Sequence, residues 1–523
     1  MKKWGATKRG VRVLYMSLAG LLLVACFVLI VAQKRRSSSQ QERPRRVFGS
    51  RSSTINVKAN GDLQGALNAA QPGDTIVLEA GATFTGSFTL PYKAGTGTDA
   101  DYITIRSSSP DASLPLADQR ITPAFAPLLP KIISRGQGAS ALQTAPRAHH
   151  YRLIGIEISK QSADALVYDL IRLGASGTDQ DSLAEVPHHI TLDRCYIHGH
   201  PAGDLKRGIA LNSATTQILN SYISECHVRG QEAQAIGSWN GPGPFQIINN
   251  YLEGAGENVM FGGAPPDIAG LVPSDIEFRR NHLNKPVSWR GVWTVKNLFE
   301  LKNARRVVIE GNVMEHNWPD GQVGYSILFT PRPNDSGWGA VVEDVTFSNN
   351  IVRHVSSAVN ISGYDPLYAA APNEVRGRRI KVVNNLFEDV DGGAWGGEGT
   401  FLKLGRGVED VTIEHNTILQ TGAVVRSYGE PMPRFVFRNN LTRHNEVGVQ
   451  GDEVGSGSAA LSAYFPRCVF EKNVIAGASP ALYPKGNFYP QSLEKVQFVN
   501  REGGNYRLAV LILRARARPT TSG

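Results

Sequence analysis

Short segments in which apolar and polar residues alternate recur along most of this chain. Around Val307 and Ile309, for example, every second residue is apolar, which is the period of a β-strand with one buried face. Each segment leads into a polar turn, and another short apolar strand follows the turn. A Gly-rich loop and a third strand complete the unit. The pattern predicts an all-β protein built from many short strands.

The turns repeat at a nearly constant spacing. Alignment on the second turn position gives ten anchors: Cys195, Ser221, Asn250, Asn281, Asn312, Asn350, Asn385, Asn416, Asn440 and Asn473. They are separated by 26, 29, 31, 31, 38, 35, 31, 24 and 33 residues, which indicates a stacked array. Asn tolerates the left-handed backbone of tight turns, and stacked amides can share hydrogen bonds. We therefore expect tight turns at the anchors and a ladder of Asn side chains.

Three short strands per repeat of roughly 30 residues describe a right-handed parallel β-helix of about ten to twelve coils. We expect it to form one domain over residues 54–508. Near its beginning, Leu63, Ala66, Leu67 and Ala70 lie on one face of a predicted helix that ends before Pro72. We expect this short N-terminal helix to cap the first coil, because a solenoid end exposes unpaired strands and core.

Three stretches carry a family resemblance. NGDLQGALNAAQPGDTIVLEAGATFTGSFTLP (60–91) resembles the opening of pectate-lyase-like β-helix proteins. WNGPGPFQIINNYLEGAGENVMFGG (239–263) and VPSDIEFRRN (272–281) resemble an uncharacterised bacterial branch of that superfamily. The resemblance covers residues 55–508 and implies the fold. It does not select an activity, because the superfamily includes lyases, hydrolases and non-catalytic adhesins, and it implies no catalytic residues.

The two ends of the chain differ from the repeats. Residues 1–12 are basic, and residues 13–32 form an apolar run that predicts a transmembrane anchor or a signal segment. Residues 33–53 are polar, basic and Ser-rich, as in a flexible linker. We therefore expect an exported protein, held at the membrane by this segment or secreted if the segment is cleaved. Residues 509–523 break the composition of the repeats and form an atypical C-terminal tail.

The net charge of +9 comes from the N-terminal region. Residues 1–46 contain eleven Lys or Arg and one acidic residue, which leaves 44 basic and 45 acidic residues, a net charge of −1. A β-helix domain without a basic field argues against nucleic acid as a partner. We expect a monomer that binds a polysaccharide or another glycan.

The strand before each long connection is the expected lining of a substrate groove. These strands fall within residues 169–175, 208–214, 235–241, 258–263, 298–304, 325–331, 358–364, 400–406 and 424–429. Alternation directs the following side chains outward: Arg172, Asn212, Trp239, Asn258, Glu300, Lys302, Asn360, Ser362, Lys403 and Arg426. Sugar-binding sites use this mixture, because Trp packs on sugar rings, amides bind hydroxyls and cations neutralise uronate carboxylates.

Cleavage by β-elimination requires a base and a cation or Ca²⁺ that acidifies the proton beside a uronate carboxylate. The candidate catalytic residues are Glu300, Lys302, Lys403 and Arg172, with Glu300 positioning the cations. The candidate substrate-binding residues are Asn212, Trp239, Asn258, Arg332, Asn360 and Ser362. Ca²⁺ is a candidate cofactor, but the sequence assigns no metal ligands. The structural alternative for Glu300 and Lys302 is an ordinary solvated ion pair on one strand face.

The leading hypothesis is an exported lyase that cleaves an acidic polysaccharide. A non-catalytic surface protein that binds a glycan or a partner is the alternative, and a glycoside hydrolase is third. A hydrolase needs two carboxylates about 5–9 Å apart, whereas the groove strands clearly offer only Glu300, with Glu257 and Asp365 at their edges.

A second polar cluster follows two neighbouring anchors. It comprises His198, His200, Glu225, His227 and Glu232. Stacked coils would bring these loops side by side, where they could bind a metal or supply a His base. The alternative is polar loop decoration, since the spacing matches no fixed metal motif.

Overall fold

The computed structural model describes residues 52–163, 165–332, 339–365 and 377–509. The predicted basic terminus, the apolar segment 13–32, linker residues 33–51 and tail residues 510–523 lie outside this part of the chain. Within the described ranges, no helix combines the length and the apolar character needed to cross a bilayer.

The chain is a right-handed parallel β-helix, as predicted, with three long parallel sheets. Sheet A contains β1 (Thr54–Val57), β2 (Thr75–Leu78), β5 (Ile103–Ser107), β8 (His149–Ile154), β11 (His188–Asp193), β14 (Ala214–Leu219), β17 (Phe245–Ile248), β20 (Ser274–Arg279), β23 (Ala304–Glu310), β26 (Val342–Ser348), β29 (Arg378–Val383), β32 (Glu409–Glu414), β35 (Val436–Arg438) and β38 (Val469–Glu471). Sheet B contains β3 (Thr83–Gly86), β6 (Lys131–Ser134), β9 (Glu157–Lys160), β12 (Tyr196–His198), β15 (Tyr222–Cys226), β18 (Tyr251–Gly254), β21 (His282–Asn284), β24 (Val313–Asn317), β27 (Ile351–Val355), β30 (Leu386–Val390), β33 (Thr417–Gln420), β36 (Leu441–Arg443) and β39 (Val474–Ala476).

Sheet C contains β4 (Phe88–Leu90), β7 (Leu142–Thr144), β10 (Val167–Leu173), β13 (Leu205–Leu211), β16 (Gln234–Ser238), β19 (Glu257–Phe261), β22 (Asn297–Leu301), β25 (Tyr325–Phe329), β28 (Ser357–Ser362), β31 (Leu402–Gly405), β34 (Val425–Tyr428) and β37 (Val449–Gly451). An antiparallel hairpin of β40 (Phe498–Asn500) and β41 (Asn505–Leu508) follows the last coil. All nine strands predicted to line a groove belong to sheet C.

The helices are short. They are α1 (Leu63–Ala69), α2 (Gly392–Trp395) and α3 (Ser458–Tyr464), and the 3₁₀ turns are Asp99–Asp101, Asp111–Ser113, Pro123–Leu128, Gly177–Asp179, Leu183–Glu185, Val287–Trp289, Pro480–Leu482 and Leu493–Val496. Helix α1 is at the predicted position. The Asp62 side chain accepts a hydrogen bond from the Gly65 amide at 2.8 Å, which caps the helix N-terminus, and Leu63 and Leu67 are buried.

The solenoid has about 13 coils, matching the 13 strands of sheet B, which is more than the ten to twelve predicted. The difference arises at the N-terminal end. Strands β3, β6 and β9 precede the first recognised anchor, and Ala82, Pro130 and Ile156 occupy the positions before them. A search for polar anchors cannot detect these coils, because their turns carry no Asn.

The interior is filled by rows of apolar side chains that stack from coil to coil. Phe245, Phe278, Phe299, Phe329 and Phe347 are fully buried examples. Burial of each such side chain contributes about 1.5–3 kcal/mol. Because strands of neighbouring coils pair in register, a residue on one coil lies directly above its counterpart on the next.

The Asn ladder is present between sheets A and B. Oδ1 of Asn281 accepts hydrogen bonds from the backbone amide of Asn250 at 2.8 Å and from its Nδ2 at 3.0 Å. The same pair of bonds joins Asn281 to Asn312, and the series continues to Asn473 and one further member, Asn487. The left-handed residue, however, is the one before each anchor, such as Asn249 (φ 58°) or Arg280 (φ 54°). The turn at that residue directs the anchor side chain inward.

A comparison of two adjacent turn residues tests the ladder. Asn385→Ala removes an acceptor for two donors of Asn350, at 2.8 and 3.1 Å, and is expected to lower the free energy of unfolding by about 1–3 kcal/mol. The matched control is Asn384→Gly, because residue 384 is left-handed (φ 57°) and glycine adopts that backbone readily. Urea denaturation followed by circular dichroism measures both changes. Equal effects of the two substitutions would contradict a stabilising ladder.

Candidate active site on sheet C

A single outward row crosses sheet C. Strand register aligns Gln143, Arg172, Ala210, Gly237, Met260, Glu300, Leu328, Asn360, Lys403, Arg426 and Gln450. Arg172 is four strands from Glu300 and Lys403 is three strands away on the other side. At about 4.8 Å per strand, these separations are about 19 Å and about 14 Å. The predicted catalytic residues therefore share one face, but of the four only Glu300 and Lys302 meet.

Glu300 and Lys302 form a buried ion pair. Lys302 Nζ lies 2.9 Å from Glu300 Oε1. Lys302 is 8% exposed and Glu300 is 1% exposed. Asn297 Nδ2 donates to Glu300 Oε2 at 3.3 Å, and Asp365 Oδ2 lies 3.8 Å from the ammonium. A solvated surface pair is thus excluded. Buried charges of this kind persist only when they are paired and hydrogen-bonded.

The pKa of Lys302 shows which effect prevails at this pair. Burial lowers the pKa of an ammonium, but the adjacent Glu300 carboxylate outweighs burial and raises the pKa of Lys302 above its usual value. Lys302 therefore remains protonated at neutral pH. It is suited to neutralising a substrate carboxylate and unsuited to acting as a base.

Glu257 adds a second buried carboxyl group to this region. It is aligned with Asn297 on the next strand, and Gln234 Nε2 on the preceding strand donates to Glu257 Oε2 at 2.7 Å. Burial, with the nearby Glu300 and Glu232 carboxylates, raises the pKa of Glu257 to about 8. Glu257 is therefore mainly protonated at neutral pH. Three successive strands of sheet C begin with a polar residue: Gln234, Glu257 and Asn297. This repetition is the sequence signal for the polar row.

Lys296 lies beside the group formed by Glu257, Glu300 and Lys302. Its ammonium pairs with Glu232 and lies 3.9 Å from Glu257 Oε1. The Glu232 pKa lies below its usual value, because the hydrogen bond and charge of Lys296 outweigh burial. Lys296 directly precedes β22, which begins at Asn297. Lys296 and Glu232 are 64 residues apart in the sequence, and the stacking of parallel coils brings their side chains into contact.

Asn212, Asn258 and Ser362 are buried and already hydrogen-bonded within the protein. Asn212 Oδ1 accepts hydrogen bonds from the backbone amides of Trp239 and Asn240 at 3.0 and 2.9 Å. Ser362 Oγ donates to the carbonyl of Tyr364 at 2.8 Å. All three lie at or beside strand ends, where polar side chains satisfy backbone groups of the turns.

Asn258 instead holds a buried lysine. Its Nδ2 donates to the carbonyls of Leu252 and Asn284 at 2.8 and 2.9 Å, and its Oδ1 accepts from Lys285 Nζ at 2.9 Å. Lys285 also donates to the carbonyl of Ala255 at 3.0 Å, and burial lowers its pKa to about 7. This amide–lysine pair fixes the turn into β19, which begins with Glu257.

The other predicted binding residues remain on the face but in several places. Arg332 Nε lies 3.8 Å from Asp365 Oδ2, beside the Lys302 cluster. Asn360 is half-buried between the Leu328 and Lys403 positions of the row. Lys403 Nζ lies 5.0 Å from the Tyr428 ring centroid.

Trp239 is half-buried, and its ring is covered by a cation. The guanidinium carbon of Arg207 lies 4.6 Å from the ring centroid. A sugar could stack on this face of Trp239 only if Arg207 moved.

The predicted histidine and carboxylate loop cluster does not form one metal site. His198 Nε2 lies 3.3 Å from Glu157, whereas His227 is buried, pairs with Glu225 at 2.8 Å and stacks on Trp293 at 3.8 Å. Among the residues that the structure describes, three or more carboxylates do not gather as Ca²⁺ ligands would. A need for Ca²⁺ therefore stays a prediction.

Solved structures share the fold at low sequence identity. A mannuronic acid-specific polysaccharide family 6 lyase from the human gut microbiota matches with a TM-score of 0.54 and 14% identity, over 87% of this chain and 94% of that one. The catalytic unit of a GH87 α-1,3-glucanase from Streptomyces thermodiastaticus gives 0.47 and 12%, covering 85% and 71%. PfbA, a surface adhesin of Streptococcus pneumoniae, gives 0.43 and 11%, covering 75% and 87%.

The sequence itself matches no protein-family model and no curated protein. The first of these matches, at 14% identity, supports the right-handed parallel β-helix fold and no particular chemistry, because one fold can carry many functions.

The buried Glu257 carboxyl group makes stability depend on pH. Its pKa is about 8 in the folded protein against an ordinary 4.5, so the folded state holds the proton more tightly than the unfolded state. This contribution to the unfolding free energy is complete below pH 4.5 and is lost as the pH rises to about 8. Glu257→Gln, which keeps an acceptor for Gln234, should flatten the decline in the urea midpoint across this range.

Glu277→Gln is the matched control for this measurement. Glu277 lies on the outer face of sheet A, with 44% of its side chain exposed. Its replacement should leave the slope of midpoint against pH unchanged. If Glu257→Gln also leaves that slope unchanged, Glu257 does not titrate as described.

Proposed function

We propose that this chain binds an acidic polysaccharide across the outer face of sheet C and cleaves it by β-elimination. The observation that carries the proposal is the buried group of Glu257, Glu300 and Lys302 on this face. A protonated carboxyl group, a second carboxyl group and a fixed ammonium lie together there, which are the components of acid–base chemistry on a uronate. Their burial beside packed core would hold them in fixed positions.

The electrostatics suggest a division of roles. Lys302, with Arg332 nearby, would neutralise the substrate carboxylate, because Lys302 remains charged. Glu300, released from Lys302 as that ammonium engages the substrate, would remove the adjacent carbon-bound proton. The electron pair left by that C–H bond forms the C=C bond as the glycosidic C–O bond breaks. The departing oxygen takes a proton from Glu257. The substrate must displace the lysine side chains that cover both carboxyl groups.

Arg172 and Lys403 would bind more distant sugars of the same chain. They lie in the Glu300 row but on other coils, so they can contact a polymer that crosses several strands. Asn360 and Arg426 occupy the same row. A polymer with regularly spaced carboxylates would match these cations.

Hydrolysis of a glycosidic bond is the second candidate. Glu257 and Glu300 lie on adjacent strands, and the environment of Glu257 keeps it protonated while Glu300 pairs with an ammonium. A protonated carboxyl group beside a second carboxyl group is an arrangement that glycosidases use. The sequence argument against a hydrolase was that only one carboxylate was clear, and Glu257 removes that argument.

We also propose that the protein is exported. Support comes only from the apolar segment 13–32 with its basic flanks. Fractionation of expressing cells, with the N-terminus of the mature protein sequenced, distinguishes an uncleaved anchor from a cleaved signal. Recovery of uncleaved protein from the cytosol alone would contradict export.

The activity test uses polyuronates with Ca²⁺ or with a chelator, and polymannuronate is a reasonable first polymer given the structural match. Ultraviolet absorbance of unsaturated sugars reports elimination, and new reducing ends report any cleavage. We expect Glu300→Gln and Lys302→Met to lower turnover by about 100-fold or more. Lys381→Gln, on the exposed outer face of sheet A, is the matched control and should retain activity.

Each outcome selects one hypothesis. Reducing ends without unsaturation would replace elimination by hydrolysis. Retention on glycan arrays without turnover would indicate a non-catalytic binding protein. No product from any polymer, by protein whose circular dichroism and unfolding midpoint are normal, would refute cleavage.

A further inference from the structure

Four histidines form a compact cluster on sheet A, away from the sheet C site. His149 and His150 begin β8, and His188 and His189 begin the neighbouring strand β11. The parallel register pairs His188 with His149, so equivalent rings lie one above the other. The sequence signal is the repeated His-His pair, 39 residues apart, at the same position of consecutive coils.

The backbone directs both rings of each pair to the same side. His150 and His189 adopt the left-handed conformation, with φ 57° and 55°, which interrupts the alternation of an ordinary strand. The His150 and His189 rings stack with centroids 4.6 Å apart, and the His149 and His188 rings at 5.0 Å. Within each pair, the two Nδ1 atoms are 2.7 Å apart.

We propose that His150, His188 and His189 bind a divalent transition-metal ion, of which Zn²⁺ is the representative. One ring nitrogen from each of the three lies within 4.8 Å of the others. Ligand nitrogens about 2.0–2.1 Å from a tetrahedral ion are about 3.4 Å apart, so modest ring rotations would close the site. His149 would orient the cluster through its contact with His150 Nδ1.

The surroundings favour neutral imidazole ligands. Burial and the neighbouring rings lower the pKa of His188 to about 4, and burial also lowers the pKa of His149 and His150. Metals bind the neutral imidazole. The rings are walled by aromatic side chains, since Tyr102 contacts His150 edge-on at 5.1 Å and Tyr92 contacts His149 at 5.6 Å.

The acidic residue Asp101, whose charge acts on His149 and His150, is already engaged. Asp101 accepts hydrogen bonds from the Gly97 amide at 2.6 Å and from Thr96 at 3.0 Å. The cluster therefore offers nitrogen ligands alone, which suits Zn²⁺, Ni²⁺ or Cu²⁺ and disfavours Ca²⁺ and Mg²⁺, which prefer oxygen.

Other coils occupy the same left-handed position with opposite charges. Arg306 donates to Asp275 at 2.6 and 2.7 Å, and Arg379 donates to Asp344 at 2.6 and 3.0 Å. Ion pairs thus connect consecutive coils along this line. His150 and His189 occupy this position on their own two coils, and they do not form an ion pair with each other. A cation bound by the histidines would connect these two coils.

The test is calorimetric titration of tag-free, chelator-treated full-length protein with ZnCl₂. We expect one saturable ion per chain, no comparable binding of Ca²⁺, and a Zn²⁺-dependent rise in the unfolding midpoint. The double variant His188→Gln/His189→Gln should lose the saturable binding, and His150→Gln should weaken it at least tenfold. Co²⁺ added in place of Zn²⁺ should give visible absorption bands of a nitrogen-ligated ion, and the double variant should abolish them.

The matched control is His316→Gln/His354→Gln. These two rings also stack on neighbouring coils, with centroids 5.3 Å apart, but they lie on sheet B and, among the described residues, do not gather with a third ligand as a metal site requires. This variant should bind Zn²⁺ as the unaltered protein does. Absence of saturable binding by the unaltered protein, or equal binding by folded His188→Gln/His189→Gln, would overturn the proposal.

Discussion

Register between neighbouring coils is the constraint on which the rest of the structure depends. Each coil is stable only because its strands pair with those above and below, and its core residues fill the space between them. The buried Asn ladder fixes this register at one corner. Each Asn carboxamide satisfies backbone and side-chain donors of the preceding coil, so a slip of one residue would leave several buried groups unpaired.

The same register assembles the candidate site. Gln234, Glu257 and Asn297 are far apart in sequence, yet parallel pairing aligns them on consecutive strands. The packed Phe and Ile rows beneath prevent these polar groups from sinking into the core. Polar atoms of adjacent coils are therefore held side by side, and their charges interact strongly because little water reaches them.

Burial on this face affects the pKa of each ionisable group differently, depending on its neighbours. Lys302 remains charged because Glu300 is in direct contact. Glu257 remains mainly protonated because burial and the nearby Glu300 and Glu232 carboxylates raise its pKa more than Lys296 lowers it. Lys285, wholly enclosed by carbonyls, has its pKa lowered instead. The proposed chemistry rests on these differences, which come from the surroundings of each residue and not from its type.

The amino-acid sequence predicts the fold class, the N-terminal helix, the Asn ladder and the sheet that carries the Glu300 row, because period-two alternation and a spaced turn residue are local signals. It also indicates that Glu300 and Lys302 can pair, because the two residues are only two positions apart. The folded structure is needed to show that Glu257, Gln234 and Lys296 join them, that Arg172 and Lys403 lie several strands away, and that Asn212, Asn258 and Ser362 are buried. These facts depend on loop lengths, on the register between coils and on the left-handed turns at strand ends, which no single segment of sequence specifies.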